Sequence, residues 1–314
     1  MPGPLVITNC TGRKRSTGGC ITLDLPNKSL SLSQVAHVWK QAVGDSQDLV
    51  MARDLYVGRT VSDALKVSRT LNGELFFISA GLGLVHEKDL IPEYDLTFAD
   101  SDNPLARILK DREMSPCDWW HCLLKEQLGR GRIADLVAMR SPPQLLIALP
   151  SGYLKMICQD LVGLPREFLQ QTRIFTSPAG KLVLDHELQE CALPYDDRLE
   201  SIEGFSGTRT DFPQRAMLHF VSRLNGIELD LEGARKAVSI SLSNFQPRVT
   251  PTRSRLQDSE IAAMLRTHWK DFGGNSSRLL RFLRNEANIA CEQGRFRAIW
   301  HSVRQDLTAK DLAR

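Results

Sequence analysis

The sequence predicts an α/β fold in which a mostly parallel sheet is flanked by helices, followed by a small C-terminal helical domain. Short apolar runs bounded by turn residues recur in the first two hundred residues, at 5–8, 54–58, 74–80, 144–150 and 172–178. Between several of them lie segments in which apolar residues have helical spacing, for example 33–43 and 60–72. Continuous apolar strands that alternate with amphipathic helices are typical of a parallel sheet covered on both faces.

Small polar residues follow three of these runs. Ligands of open α/β sheets bind beyond the carboxyl ends of the strands, so the three loops predict one shared site. In the first loop, Thr8, Asn9 and Thr11 can hydrogen-bond a base edge or a sugar. Three cations that can bind phosphate come next: Arg13, Lys14 and Arg15. The alternative is a plain polar turn, because the chain has no Walker or GxGxxG motif here.

The second loop lies in "ELFFISAGLGLVHEKDLIPEYDLTF". Its small residues allow a tight turn and a close approach of the backbone to a ligand, which makes substrate-binding candidates of Ser79, Gly81 and Gly83. Further on, Tyr94 can stack on a base, and the carboxylate of Asp95 can act as a general base or stabilise a sugar cation. The alternative is that Asp95 caps a helix or turn while Tyr94 packs in the core.

The third loop continues into a helix whose first turn contains Ser151 and Tyr153. Free amides at a helix N-terminus suit an anion or a base carbonyl. Ser151 is not expected to be a hydrolase nucleophile, because the GxSxG motif is missing. Tyr56 is a further substrate-binding candidate, and Asp54 and Glu87 are further candidate catalytic carboxylates.

The net charge of +3 is unevenly distributed. From Arg248 to the C-terminus there are 13 Lys and Arg against 7 Asp and Glu, which leaves −3 for the rest of the chain. A basic tail predicts an electrostatic partner, most commonly nucleic acid, whereas the alternative is a solvated helical surface. The candidate phosphate ligands are Arg278, Arg281, Arg284 and Arg295, together with Arg209 in a polar loop of the preceding domain.

The tail also predicts the domain organisation. Residues 239–258 are rich in Ser, Thr, Pro and Arg, and we interpret them as a linker between an α/β domain, 1–238, and a helical domain, 259–314. The helical domain is compact enough for a helix-turn-helix or winged-helix unit, and its first helix has Asp258 or Ser259 as a candidate N-cap.

Composition bears on the cellular location of the protein and on the cofactors that it could use. No signal peptide or run of about 18 apolar residues is present, which predicts a cytoplasmic protein without a membrane partner. Seven cysteines lack CxxC pairs or zinc-site spacing, so we expect reduced thiols. We also expect neither a metal nor an organic cofactor. A metal site at Cys117, His121 and Cys122 is the less favoured alternative to core packing.

Several stretches resemble known families. "ITNCTGRKR", "DLYVGRTVSDAL" and above all "ISAGLGLVHEKDLIPEYDLTF" resemble the small α/β proteins related to YaaA, the peroxide-stress DNA-binding protein. "LIALPSGYLKMI" and "GTRTDFPQRAMLHFV" are similar to segments of archaeosine-type tRNA-guanine transglycosylase-like proteins and their phage-defence relatives. The resemblance covers patches between residues 4 and 222.

This resemblance implies a nucleobase-handling fold akin to uracil-DNA glycosylase. With the basic tail, the chain looks most like the bacterial phage-defence DNA glycosylases, which excise glucosylated hydroxymethylcytosine and leave an abasic site. The expectation is then that the base is flipped out of phage DNA, that Asn9 contacts it, that Tyr94 or Tyr153 stacks on it, and that Asp95 positions water or stabilises the sugar cation. The water-activating GQDPY motif of ordinary uracil-DNA glycosylases is missing.

Two other functions remain open at this stage. The chain can be a base-exchanging tRNA or DNA transglycosylase-like transferase, in which a second substrate replaces water. It can also be a non-catalytic DNA-binding stress protein. The sequence favours a monomer without fixing the oligomeric state, and it does not identify the excised base or distinguish DNA from RNA.

Overall fold

The computed structural model describes residues 3–25, 29–247 and 253–312, with side chains described as far as residue 308. The chain forms two compact units, Met1–Pro247 and Arg248–Arg314. The strands of the described residues are β1 Leu5–Asn9, β2 Ile21–Thr22, β3 Leu49–Met51, β4 Glu74–Ser79, β5 Gly83–His86, β6 Leu90–Pro92, β7 Tyr94–Asp95, β8 Leu145–Ala148 and β9 Thr172–Phe175.

Among the described residues, the α-helices outnumber the strands. In chain order they are α1 Leu32–Gly44, α2 Ala52–Leu55, α3 Arg59–Thr70, α4 Pro104–Asp111, α5 Pro116–Lys125, α6 Ile133–Arg140, α7 Ser151–Met156, α8 Cys158–Val162, α9 Pro178–Lys181, α10 His186–Cys191, α11 Phe212–Leu224, α12 Leu231–Ser243, α13 Asp258–Thr267, α14 Ser276–Asn285 and α15 Gln293–Leu312. Short 3-10 helices span Arg166–Gln171, Asp197–Ser201 and Gly226–Glu228. Among the described residues, no helix is both long and apolar enough to cross a membrane.

The first unit is built on a mixed five-stranded sheet in the order β5-β4-β1-β8-β9. Four strands are parallel, and β5 is an antiparallel edge strand next to β4. Every residue of β1 and β8 is buried, because helices cover both faces of the sheet. The predicted α/β fold with a mostly parallel sheet flanked by helices is therefore confirmed.

The periodic segments form the expected helices. Helix α1 buries Val35, Ala36 and Trp39, and Ser31 caps it in a reciprocal capping box with Gln34. Helix α3 likewise buries one apolar stripe against the sheet. Four of the five apolar runs are strands of the main sheet.

The run 54–58 is a correction, because it forms no strand of the main sheet. Its first residues belong to the short helix α2, and Tyr56 makes only an isolated bridge to Lys14. Hydrogen bonds of 2.8 Å from Arg15 N to Leu55 O and 3.3 Å from Val57 N to Arg13 O join this segment to the basic loop. Leu55 and Tyr56 are buried, although the backbone of this segment pairs with a loop.

The predicted linker is also partly helical. Helix α12 continues to Ser243, because Ala234, Val238 and Leu242 repeat at four-residue spacing and are all buried. At the other end of the predicted linker, Asp258 already belongs to α13. The remainder of the predicted linker includes residues 248–252, which lie outside the described residues.

Three helices, α13 to α15, form the second unit. Its core includes Ile261, Leu265, Leu279, Leu283 and Val303. The connections between successive helices are residues 268–275 and 286–292. Both are longer than the three- or four-residue turn of a helix-turn-helix, so the structure does not show that motif.

Candidate functional site

The carboxyl ends of the parallel strands meet at one edge of the sheet, and they bring the three predicted loops together. Asn9 at the end of β1 is in register with Ile78 of β4, and Cys10 N donates to Ile78 O at 2.9 Å. On the other side of β1, Thr8 is in register with Ala148 of β8. The loops that follow Asn9, Ser79 and Ala148 therefore start side by side.

A chain of buried hydroxyl groups lies at this edge. Ser79 Oγ accepts hydrogen bonds from the backbone N–H groups of Gly81, at 3.1 Å, and Leu82, at 2.9 Å. Both of its lone pairs are then engaged, so the Ser79 hydroxyl donates to the phenol oxygen of Tyr94, 2.6 Å away. The Tyr94 oxygen lies 2.8 Å from that of Tyr56. Burial raises the pKa of both phenols, and the nearby Cys10 raises them further.

Tyr94 is not available to stack on a base, which corrects the expectation from the sequence. Only 1% of its surface is exposed. Lys14 Nζ lies 4.1 Å from the centre of its ring, Gly81 packs against the ring atoms, and Trp39 meets it edge-on with centroids 6.1 Å apart. Tyr94 is therefore a structural residue that packs beneath the loops at the carboxyl edge of the sheet.

Tyr153 is likewise a packed residue. It is 8% exposed, its ring packs against Phe98 with centroids 5.0 Å apart, and its hydroxyl lies 3.2 Å from Cys10 Sγ. Burial raises the pKa of its phenol. Ser151, the first residue of α7, is half-buried and remains at the rim of the site. Neither predicted stacking tyrosine therefore presents an open ring face.

A second buried cluster is centred on Gln214, which the sequence interpretation missed. Its Nε2 lies 2.8 Å from Thr8 Oγ1, 2.9 Å from Asn9 Oδ1 and 2.8 Å from Ala148 O. Gln214 is 0% exposed. A signal for it exists, because Gln214 falls on the same helical stripe as the buried Met217 and Val221 of α11. A polar residue on an apolar stripe indicates a buried partner.

Asp95 faces away from the hydroxyl chain. It neighbours Tyr94 in β7, and successive side chains of a strand point to opposite faces, so Tyr94 is buried and Asp95 is exposed. Asn103 Nδ2 donates to Asp95 Oδ1 at 3.2 Å. Asn103 is the N-cap of α4, and its Oδ1 accepts from Thr97 N and Leu105 N, each at 3.2 Å. Asp95 therefore does not cap α4. Asn103 caps this helix and also orients the carboxylate of Asp95.

A second carboxylate, also missed from the sequence, accompanies Asp95. Glu93 lies two residues earlier in extended chain, and its Oε2 accepts from Thr17 N at 2.7 Å and Thr17 Oγ1 at 3.3 Å. This bond ties the basic loop to the segment that contains Asp95. Partial burial and the charges of Glu93 and Asp95 raise the pKa of the Cys20 thiol, and Lys14 lowers it. These charged groups therefore share one electrostatic environment.

The two reserve carboxylates are not brought into this group. Glu87 N donates to Leu75 O at 2.9 Å, which places Glu87 at the amino end of β4, the opposite edge of the sheet. Asp54 is exposed on α2, which runs beside Glu87, and among the described residues its only ion pair is with Arg53 at 3.9 Å. The structure therefore removes Glu87 from the candidate site, and the Asp54 side chain makes no polar contact with that site among the described residues.

The remaining residues of the loops divide into exposed and structural ones. Arg13 and Arg15 are exposed and form no ion pair within the described residues, so both guanidinium groups are available to a phosphate. Thr11 Oγ1 donates to Arg13 O at 2.7 Å and so stabilises the turn. Gly83 has φ +69° and a Cβ position only 2.6 Å from Leu128 O, so this glycine is explained by packing rather than by a ligand.

Arg209 lies exposed on a rigid loop. Arg215, which is 0% exposed, donates to Asp211 Oδ1, Glu200 Oε1 and Thr208 O at 2.7 Å each, and also to Phe205 O. These bonds fix both ends of the loop. Arg209 itself forms no ion pair among the described residues and can meet a phosphate.

The basic residues of the second unit fall into two groups, which corrects the prediction that all four bind phosphate. Arg278 and Arg281 are exposed on α14 without an ion pair in the described part of the chain. Arg284 instead donates to Cys291 O through Nε at 3.2 Å and its terminal nitrogen at 2.8 Å. Arg295 pairs with Asp258 at 2.6 Å and donates to Leu256 O. The latter two are structural residues.

Among the described residues, no group of three or more His, Cys, Asp or Glu side chains is arranged to hold a metal ion. Cys117 lies 3.7 Å from Cys158, Sγ to Sγ, and burial raises its pKa to about 11, so it is protonated at neutral pH.

Comparisons with protein-family models, curated proteins and solved structures found no match to this chain.

Proposed function

We propose that the chain is a DNA N-glycosylase that holds a flipped-out base at the carboxyl edge of its sheet. The observation that supports this best is the exposed carboxylate of Asp95, oriented by the buried Asn103 amide and joined through β7 to the wall of buried polar groups at the strand ends. A carboxylate fixed in an exposed position suits a reaction in which positive charge develops on a sugar.

The reaction breaks the bond between C1′ of the deoxyribose and the base nitrogen. The bonding electron pair leaves with the base, and C1′ becomes positively charged in the transition state. Asp95 stabilises this charge and accepts a proton from the water whose oxygen then bonds to C1′. The products are a free base, which takes up a proton, and an abasic site. Every step uses side chains of this chain and water.

Exposed cations hold the DNA backbone in this proposal. Within the first unit these are Arg13, Arg15 and Arg209, and within the second they are Arg278 and Arg281. Each neutralises phosphate without reading sequence, so binding depends steeply on salt. The choice of glucosylated hydroxymethylcytosine in phage DNA, and with it the antiviral role, follows the family resemblance of the sequence. The cytoplasmic location and the monomer are further proposals from the sequence.

The test is incubation of the purified chain with glucosyl-hydroxymethylated phage DNA and with unmodified DNA, followed by mass spectrometry of released bases and an assay for abasic sites. We expect base release from the modified DNA alone. If no modified DNA releases a base, the proposed function is wrong. Incorporation of a labelled free base in place of the lost one would identify a transferase instead.

The substitution Asp95→Asn tests the proposed catalytic group, because it keeps the size and the contact with Asn103 but removes the charge. We expect base release to slow by about 100-fold or more, the usual scale for loss of a general base, while DNA affinity is retained. Asp102→Asn is the matched control, since the Asp102 side chain is 89% exposed and its one ion pair among the described residues is with Arg107 at 3.6 Å. Equal rates for the wild type and Asp95→Asn would reject Asp95.

A further inference from the structure

Two backbone carbonyls fix the orientation of the side-chain amides of Gln214 and Asn9. A carbonyl can only accept a hydrogen bond, so Gln214 must turn its nitrogen toward Ala148 O, 2.8 Å away. For the same reason Asn9 must turn its nitrogen toward Cys10 O, also 2.8 Å away. The contact of 2.9 Å between the two side chains is then Gln214 Nε2 donating to Asn9 Oδ1. Both orientations agree without any further assumption.

This arrangement determines what Asn9 can offer to a ligand. Its oxygen faces Gln214, and one hydrogen of its nitrogen is used by Cys10 O. The second hydrogen has no acceptor among the described residues. Asn9 is 8% exposed at the carboxyl end of β1, so this N–H is a donor that it can offer to a ligand, while its oxygen already accepts from Gln214.

Gln214 is suited to hold this orientation. It is completely buried, and it joins the ends of β1 and β8, because its Nε2 also lies 2.8 Å from Thr8 Oγ1, so three oxygens share the two hydrogens of this nitrogen. Its own Oε1 has no hydrogen-bond partner among the described residues, so the acceptors around the nitrogen alone set the position of the amide. Reversal of the Gln214 amide would place its oxygen against the Ala148 carbonyl, which is repulsive.

We infer that Gln214 is a positioning residue that turns an N–H of Asn9 toward the ligand, and that this N–H donates to the 2-carbonyl oxygen of the excised pyrimidine. This inference rests on the proposed glycosylase function. In a pyrimidine, the 2-carbonyl oxygen is attached to the ring carbon that neighbours the nitrogen from which the sugar is cleaved. The electron pair released by cleavage spreads onto this oxygen, so the N–H of Asn9 stabilises the leaving base more strongly in the transition state than before it.

The experiment measures single-turnover base release and DNA affinity for Gln214→Met, which keeps length and volume but has no N–H. We expect release to slow at least 10-fold with an unchanged Kd for DNA. The same substitution in an Asn9→Ala background is expected to have less than a 2-fold further effect, because Gln214 acts through Asn9. Gln144→Met is the matched control, since Gln144 donates to Ile227 O at the opposite edge of the sheet.

The outcomes separate this inference from the proposed function. If the wild type releases no base, the proposed function falls and the inference falls with it. If the wild type is active and Gln214→Met slows release equally with and without Asn9, then Gln214 is merely structural and the inference is wrong. Asn9→Asp serves if Gln214→Met does not fold, because it still accepts from Gln214 but has no N–H. Unchanged release by Asn9→Asp would overturn the donor role.

Discussion

The hydroxyl of Ser79 and the phenol of Tyr94 form a direct hydrogen bond of 2.6 Å between the end of β4 and strand β7. Ser79 Oγ also accepts from Gly81 N and Leu82 N, so one side chain fixes the turn after β4 and the strand that contains Asp95. The position of the candidate catalytic carboxylate therefore depends on a buried polar contact rather than on a flexible loop.

Tyr94→Phe is expected to destabilise the first unit more than Tyr56→Phe. Tyr94 is hydrogen-bonded to both Ser79 and Tyr56, whereas the hydroxyl of Tyr56 has one hydrogen bond among the described residues, of 2.8 Å, to Tyr94. Each buried hydroxyl left without a partner costs about 1–3 kcal/mol. We expect a loss of about 2 kcal/mol or more for Tyr94→Phe and about 1 kcal/mol for Tyr56→Phe, measured by urea unfolding. The reverse order would show that the chain of hydroxyls does not end at Tyr56.

Gly81→Ala is expected to disturb the same contact from the other side. A Cβ at Gly81 would lie 2.7 Å from Cε2 of Tyr94 and 3.2 Å from Cζ2 of Trp39. Overpacking of a buried site costs about 1–3 kcal/mol in the free energy of unfolding. Gly12→Ala is the control, because no atom lies within 4 Å of its Cβ position, and we expect a change within about 0.5 kcal/mol. Equal effects of the two substitutions would contradict the packing argument.

Much of this site was accessible from the sequence, and the reasons are local. The apolar runs of β1, β4 and β8 predict buried parallel strands, and parallel strands place their carboxyl ends at one edge. That reasoning brought Asn9 and Ser79 together although they are far apart in the chain. It rested only on hydrophobic pattern and on the small residues that follow each run.

The parts that sequence could not provide depend on side-chain direction and on distant partners. Tyr94 and Asp95 are neighbours, yet only the pairing of β7 with β2 shows which of them points inward. Gln214 meets Asn9 across 205 residues, and no local pattern encodes that contact. Arg281 and Arg284 are equivalent in the sequence pattern of α14. In the structure, the chain after α14 brings the carbonyl of Cys291 within hydrogen-bonding distance of Arg284.

The buried side chain of His219 is expected to make the folded protein less stable in mild acid. It is 2% exposed, and its Nδ1 lies 2.8 Å from the Tyr195 hydroxyl. Burial, with a smaller effect of the Arg223 charge, lowers its pKa from 6.5 to about 4. The unfolded chain takes up a proton as the pH falls below 6.5 while the folded chain does not, so stability falls progressively between pH 6.5 and pH 4.

The size of this effect follows from the two pKa values. Between pH 7 and pH 5 the wild type is expected to lose about 2 kcal/mol of unfolding free energy through His219 alone. His219→Gln cannot take up a proton, so its loss over the same pH interval should be smaller by that amount. Urea unfolding of both proteins at the two pH values gives the measurement. An equal pH dependence would show that His219 titrates normally in the folded chain.

Two arginines of α14 are expected to differ in what their substitution changes, DNA binding for one and stability for the other. Arg281 is exposed without an ion pair among the described residues, whereas Arg284 donates twice to the carbonyl of Cys291. Arg281→Ala should reduce the slope of log affinity for DNA against log salt by about 1, with unchanged stability, if it neutralises one phosphate. Arg284→Ala should instead lower stability by about 1–3 kcal/mol, because a buried carbonyl loses its charged donor. Fluorescence anisotropy at several salt concentrations and urea unfolding measure both quantities, and an unchanged salt slope for Arg281→Ala would reject this face of α14 as the DNA-binding surface.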